Sequence, residues 1–170
     1  MADYVYGLSK SGVSIVKLLK KQKKIFYCWD DDDATRKLLN KKFSNLNFAK
    51  INKTSFKKYK NLYVTPGLSF SNKKFSGIHK TKIKRDLDLY YQNLTNEKIV
   101  AITGTNGKST TTKLIGDILR KKYKNTFVGG NIGEPLCNSL ITKKKYSHHV
   151  VELSSFQLEA IVDFNPKISI

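Results

Sequence analysis

The sequence predicts an α/β protein in which two parallel sheets, each with crossover helices, follow one another along the chain. Three observations predict it. Short apolar runs alternate with amphipathic stretches from the N-terminus onward, the alternation restarts after the polar stretch "TNEK" (residues 95–98), and a Gly-Lys-Ser cluster joins one apolar run to the helical pattern after it. Strand alternating with helix implies parallel pairing, because the crossover helix returns the chain to the same end of the sheet.

Taken in order, "YVYGL" reads as a strand and "SGVSIVKLLKK" as a helix with apolar Val13, Ile15, Val16, Leu18 and Leu19. "KIFYCWD" is a second strand and "DATRKLLNKKF" a second helix. "NLYVTPG" is a strand ending on a Pro-Gly turn, and "SGIHKTKI" with "RDLDLYYQNL" adds one more strand and helix. The boundary at "TNEK" gives two domains, residues 1–94 and 95–170. In the second, "KIVAIT" is a strand, "GKSTTTKLIGDILRKK" a helix, "NTFVGGN" a strand, "PLCNSLITKKK" a helix and "SHHVVELS" a strand. "SFQLEAIVDF" is a helical pattern, and "PKISI" opens a further strand. Ligands of open parallel sheets bind beyond the carboxyl ends of the strands. The loop due after "PKISI" is one such place, so the second domain is expected to be incomplete.

A chain of 170 residues can form one well-packed domain or two small ones. Lys and Arg number 32 against 13 Asp and Glu, a formal net charge of +19, which invites a nucleic-acid reading. The lysines nevertheless fall in short clusters (Lys20, Lys21, Lys23, Lys24; Lys41, Lys42; Lys143, Lys144, Lys145) at expected helix ends and loops, with no nucleic-acid-binding motif beside them. A solvated lysine-rich surface is favoured over a polyanion patch, and no nucleic-acid partner is expected. The longest apolar run, Ile25–Trp29, is far shorter than the ~20 residues a membrane helix needs, and the N-terminus has no signal-peptide pattern. A cytoplasmic protein with no membrane partner follows as the expectation. Cys28 and Cys137 lack metal-ligand spacing and read as reduced packing residues. Adjacent His148 and His149 point to opposite faces of a strand, so they cannot easily share a metal; they read as strand-edge histidines.

The motif with most chemistry is "VAITGTNGKSTTTKLIGDIL", residues 100–119. Gly107, Lys108 and Ser109 fit the end of the phosphate-loop pattern G-x-x-x-x-G-K-[ST], but Ile102 stands where that pattern begins with glycine. The physics survives the departure. Gly104 and Gly107 let backbone N–H groups approach phosphate oxygens, the helix N-terminus adds its positive dipole end, and Lys108 reaches terminal phosphates. Ser109 offers a hydroxyl to Mg²⁺, and Thr110–Thr112 leave first-turn groups able to hydrogen-bond. The alternative is a Gly-rich turn with no ligand. A second ligand for the cation is expected from a neighbouring strand end, and Glu152, closing the apolar run "HHVVE", is the candidate. At the N-terminus "GLSKSG" (Gly7–Gly12) follows a strand and opens a helix as a dinucleotide fingerprint would, with Ser9 in place of the middle glycine. Asp30 ends the second strand where such folds place an acid. By itself this pattern is equally a plain turn.

Together "ITGTNGKSTTT", "GGNIGEPL" and "VELSSFQLE" resemble successive central-domain signatures of the Mur ligase family. "GGNIG" with "ELSSFQLE" points to the D-glutamate-adding branch. "GLSKSG", "TPG" and "DLDLYY" sit in the order of that branch's uridine-binding domain, so the resemblance covers the whole chain. It implies a Rossmann-like UDP-substrate domain over 1–94 and an incomplete central ATP-binding domain over 95–170. It also implies an ATP-dependent amide ligase of peptidoglycan precursor synthesis, joining D-glutamate to UDP-N-acetylmuramoyl-L-alanine through an acyl phosphate. The residues it implies are Gly104, Thr105, Asn106, Gly107, Lys108, Ser109 and Thr110 for ATP, with Lys108 catalytic. Ser109 and Glu152 would hold Mg²⁺. Lys10, Ser11, Asp30, Asp31, Thr65 and Gly67 would hold the UDP end, and Asn131 and Gln157 the muramoyl-alanine portion. Thr65 replaces the usual serine, and the acidic run Asp30–Asp33 leaves open which member faces the uridine. Family members continue with a histidine metal ligand, a carbamylated lysine and a C-terminal D-glutamate domain. This chain is therefore expected to be an N-terminal portion, inactive alone, of a protein monomeric at full length. The alternative function is a non-catalytic nucleotide- or nucleic-acid-binding module.

Overall fold

Ala2–Tyr6 (β1), Phe26–Trp29 (β2), Tyr59–Val64 (β3) and Ile83–Lys84 (β4) form a parallel sheet in the order β2-β1-β3-β4. They belong to the computed structural model of the chain, which describes residues 1–51, 55–159, 161 and 163–170. The helix Lys10–Lys21 (α1) buries Ile15, Val16, Leu18 and Leu19 as the spacing predicts, while Val13 stays half-buried. A Cβ on Gly12 would collide with the Gly7 carbonyl oxygen, so glycine is what lets α1 start hard against the turn that ends β1. The helix Asp33–Lys42 (α2) buries only Leu39. Its start is fixed by the Asp32 side chain, which accepts from the Ala34 and Thr35 N–H groups. Tyr4, Tyr6, Phe56, Tyr59, Leu62, Val64, Phe75 and Ile83 form the core of this unit, each such side chain contributing roughly 2 kcal/mol on burial.

The second sheet is also parallel: Lys98–Ile102 (β5), Thr126–Gly130 (β6), His148–Glu152 (β7) and Ile168–Ser169 (β8) in the order β6-β7-β5-β8. Lys108–Lys122 (α4) packs Ile115 and Leu119 onto a core of Val100, Ile102 and Val150. Gly116 lies so close to Val128 that a Cβ would overlap its side chain. The α/β class with two parallel sheets is therefore as the sequence predicts.

Several elements differ from the sequence reading. The helix expected over "PLCNSLITKKK" is a five-residue 3-10 turn, Leu136–Leu140, because the exposed lysines beyond it give a longer helix no apolar face to bury. The strand in "SGIHKTKI" shrinks to β4, and the helix in "SFQLEAIVDF" is the single turn Ser155–Leu158 (α5), with Ala160 and Val162 outside the described residues. The compact units are Met1–Asp86 and Leu87–Ile170, so they divide ahead of the polar stretch at 95–98. The reason is Asp86–Tyr91 (α3). Its Tyr90 hydroxyl bonds His149 Nδ1 at 2.6 Å and its Tyr91 ring meets Phe164 edge-on, both within the second unit.

His149 corrects another expectation. It lies on β7, an interior strand, at 2% exposure among Tyr90, Phe127 and Tyr146, and is a core residue rather than a strand-edge one. Cys28 and Cys137 are free and buried, and burial pushes the Cys28 thiol up to about 12. Among the described residues no helix is long and apolar enough to cross a membrane.

Candidate functional site

The strand β5 ends at Ile102, whose side chain is packed in the core, so the chain is still strand where the general phosphate-loop pattern has its first glycine. The turn begins later. Gly104 (φ 131°) and Gly107 (φ 79°) take left-handed conformations that L side chains resist, and Lys108 opens α4 directly after. Thr103 Oγ1 donates to the Leu153 carbonyl at 3.0 Å, tying the turn to the end of β7. Gly104, Thr105, Asn106, Gly107, Ser109 and Thr110 are exposed and Lys108 half-buried. A helix start leaves first-turn N–H groups without intrahelical acceptors, and here they sit at an exposed glycine turn suited to an anion. Lys108 Nζ donates to the Gly104 and Thr105 carbonyls at 2.6 and 3.1 Å, so the ammonium folds back over the turn.

Register then brings in Glu152. It pairs with Ile102 on one side and Gly130 on the other, at the carboxyl ends of three adjacent strands. Its side chain is in a residue only 1% exposed. One carboxylate oxygen, Oε2, accepts from Ser109 Oγ at 2.8 Å, and the other, Oε1, accepts from Asn131 Nδ2 at 3.0 Å. The set of a serine hydroxyl and one carboxylate, completed by phosphate oxygens, consists of hard oxygen donors and fits Mg²⁺, which characteristically takes one or two protein ligands beside a nucleotide. Among the described residues no group of three or more His, Cys, Asp or Glu side chains competes as a metal centre. Gln157, on α5, is buried; its side-chain oxygen accepts from the Ser154 N–H at 3.1 Å while Ser154 Oγ caps the turn in return. The structure thus gathers Ser109, Asn131 and Glu152 at the start of the helix that Lys108 opens, and holds Gln157 in the cap that follows β7.

In the first unit Gly7 (φ 86°), Gly12 and Thr65 meet closely: a Cβ on Gly7 would run into the Thr65 hydroxyl. Asp30 uses both carboxylate oxygens on backbone, accepting from Leu8 N–H at 2.6 Å and Asp32 N–H at 2.9 Å, so it welds the β1 and β2 loops. Asp31 accepts from Tyr6 Oη at 2.8 Å and from Lys74 Nζ, and the Lys74 ammonium holds its carboxyl below the usual carboxylate range. Lys10 and Gly67 are exposed and Ser11 half-buried. Sequence reasoning missed Lys74 and Arg85. Arg85 is buried, donates Nη1 to the Thr65 and Leu68 carbonyls at 2.8 Å each, and stacks its guanidinium on Phe70 at 3.7 Å. The signal for Arg85 was weak, one arginine directly before "DLDLYY"; for Lys74 there was none, since only the fold brings it to Asp31.

Residues 102–170, from the end of β5 onward, match the Mur ligase middle domain. Relatives align across nearly the entire chain. A UDP-N-acetylmuramoylalanine--D-glutamate ligase of Wolbachia pipientis wMel is 37% identical over 97% of this chain and 33% of the relative. Those of Caldicellulosiruptor bescii and Rickettsia prowazekii are 36% and 33% identical, over 96% and 98% of this chain and 37% of each relative. The chain is thus similar to the Mur ligase middle domain over residues 102–170, and to these ligases along nearly its whole length. It spans about a third of the length of the curated relatives it matches. The Mur ligase middle-domain match starts at Ile102 and so contains the whole cluster of Lys108, Ser109, Asn131 and Glu152.

Proposed function

We propose that this chain carries the UDP-substrate-binding and ATP-phosphate-binding parts of a cytoplasmic ligase that adds D-glutamate to UDP-N-acetylmuramoyl-L-alanine in peptidoglycan precursor synthesis. The observation that carries the reading is Ser109 bonded to the buried Glu152 directly below the Gly104–Gly107 turn. In the reaction, a carboxylate oxygen of the alanine attacks the γ-phosphorus of ATP, the bond to the β-phosphate oxygen breaks, and ADP leaves. The D-glutamate amine then attacks the acyl carbon, loses a proton and expels phosphate.

The turn's backbone N–H groups bind and orient the polyphosphate. Lys108 exchanges the Gly104 and Thr105 carbonyls for phosphate oxygens and offsets charge on the group in transfer. Ser109 and Glu152 would hold Mg²⁺, which supplies Lewis-acid neutralisation of the phosphate charge. Asp30, Asp31 and Lys74, with Lys10, Ser11, Thr65 and Gly67, hold the UDP end in the first unit, residues 1–94 in the sequence division. In the second, 95–170, Asn131 and Gln157 are the residues assigned to the muramoyl-alanine portion. D-glutamate capture belongs to sequence that the relatives have beyond their matched third, so amide formation is assigned to the full-length protein, acting as a monomer.

The test is nucleotide binding by the 170-residue chain, read with a fluorescent ATP analogue and Mg²⁺. Lys108→Ala is expected to abolish it while leaving UDP-substrate binding within about twofold; equal loss of both overturns the assignment. D-glutamate-dependent phosphate release by this chain would overturn the allocation of the final step. Oligonucleotide binding that falls steeply with added salt, with no specific binding of the UDP-substrate, would instead support the alternative of a nucleic-acid-binding module.

A further inference from the structure

Asn131 grips Glu152 at two points. Its backbone N–H donates to the Glu152 carbonyl at 2.8 Å, and its side-chain Nδ2 donates to Oε1 at 3.0 Å. The approach depends on Gly130, which sits at φ 122° with its Cα against the Glu152 backbone, where a Cβ would overlap the Glu152 carbonyl oxygen. The end of β6 is therefore shaped to bring one amide onto one buried carboxylate.

Burial makes that amide consequential. A carboxylate removed from water is stabilised only by the donors that reach it, and losing one leaves an acceptor desolvated. Glu152 has one donor on each oxygen among those described, Ser109 Oγ on Oε2 and Asn131 Nδ2 on Oε1. With Oε1 held by Asn131, the carboxylate plane is fixed and Oε2 stays beside the Ser109 hydroxyl. Without it, rotation about the terminal torsion is resisted only by a serine that can rotate as well.

We propose that Asn131 is a positioning residue for the cation site, holding Glu152 so that Oε2 and Ser109 Oγ present a preformed pair of oxygen ligands. This rests on the reading of Ser109 and Glu152 as the cation's protein ligands. An amide carries two N–H groups and one carbonyl; one N–H is used on Glu152, and the remaining N–H and Oδ1 have no partner among the described residues while the residue is exposed. Asn131 can therefore hold the carboxylate and meet a bound substrate with one side chain, which links substrate position to cation position.

The test uses Mn²⁺ as the probe, titrated into the 170-residue chain with a non-hydrolysable ATP analogue and followed by electron paramagnetic resonance. Outer groups that orient metal ligands typically matter by about 10–100-fold in affinity. Asn131→Leu, which keeps the side-chain shape and removes the donor, is expected to weaken Mn²⁺ binding at least about tenfold and to broaden the bound-ion spectrum, with the circular-dichroism spectrum at 25 °C still that of the folded chain. Asn131→Ala provides the same comparison if the leucine variant does not fold. Glu152→Gln separates the two layers. If it weakens Mn²⁺ binding but neither Asn131 variant does, the positioning role is overturned and the ligand reading stands. If Glu152→Gln changes nothing, or the unsubstituted chain binds no Mn²⁺ tightly, the ligand reading falls and the proposal with it.

Discussion

Acidification should loosen the strand that ends in Glu152, and the size of the effect follows from His149. Its ring is buried among Tyr90, Phe127 and Tyr146, with Nδ1 bonded to the Tyr90 hydroxyl at 2.6 Å. Desolvation is the main cause that lowers its pKa from 6.5 to about 4; Glu97 opposes it by raising, and His148 lowers further. The fold therefore binds the neutral ring, and the unfolded chain takes up the proton first. Stability is fully present above the unfolded value near 6.5 and is lost as pH falls from there toward 4. Between about pH 7.5 and about pH 4.5 the linked loss is about 2.5 kcal/mol. Urea unfolding followed by circular dichroism at the two pH values measures it, with hydrogen exchange of the β7 amides assigning the loss to the second unit. The comparison is a chain with Tyr90→Phe and His149→Phe together, which removes both partners of the bond. Its absolute stability includes its own packing change, but its fall with pH should be smaller by about 2.5 kcal/mol. Equal falls in the two chains would refute the reasoning.

Three further outcomes are expected. Gly12→Ala should destabilise the first unit by about 3 kcal/mol, since the new methyl meets the Gly7 carbonyl, while Gly67→Ala, with nothing within 4 Å of its Cβ, should stay within about 0.5 kcal/mol in the same melts. Arg85→Met removes one donor from the Thr65 carbonyl, which keeps the Leu68 N–H, and one from the part-buried Leu68 carbonyl, so a loss of about 1–2 kcal/mol and weaker UDP-substrate binding are expected by denaturation and calorimetry. Thr112 has a buried hydroxyl with no hydrogen-bond partner among the described residues, so Thr112→Val should raise stability by about 1 kcal/mol in thermal melts.

Elements whose shape depends on their own residues were legible beforehand. The apolar stripe of α1, the strand before Gly104 and the acid at the end of β7 all follow from local spacing. What the sequence concealed was long-range. Polarity at residues 95–98 marks a domain boundary in the sequence, while α3 ahead of it is bound within the second unit through Tyr90 and His149, a contact between positions distant in the chain. "PLCNSLITKKK" had helical composition but no apolar face to bury after Leu140, so tertiary packing stopped it at a 3-10 turn. At the candidate site, the motif alone marks Asn131 as a substrate contact, whereas its bond to Glu152 depends on β6–β7 register, which no local pattern carries.

The bonds from Lys108 to the Gly104 and Thr105 carbonyls make the turn a competitor for its own lysine. Among the described residues two of the three ammonium N–H groups are already engaged, so an incoming anion finds one free donor and must compete with two carbonyl dipoles for the others. Only a ligand that also engages the backbone N–H groups and Ser109 recovers more than it displaces. In a chain with a net charge of +19, bathed in mobile counter-ions, the loop thus acts as a threshold filter, measurable as the ratio of triphosphate to sulfate affinity before and after Lys108→Met.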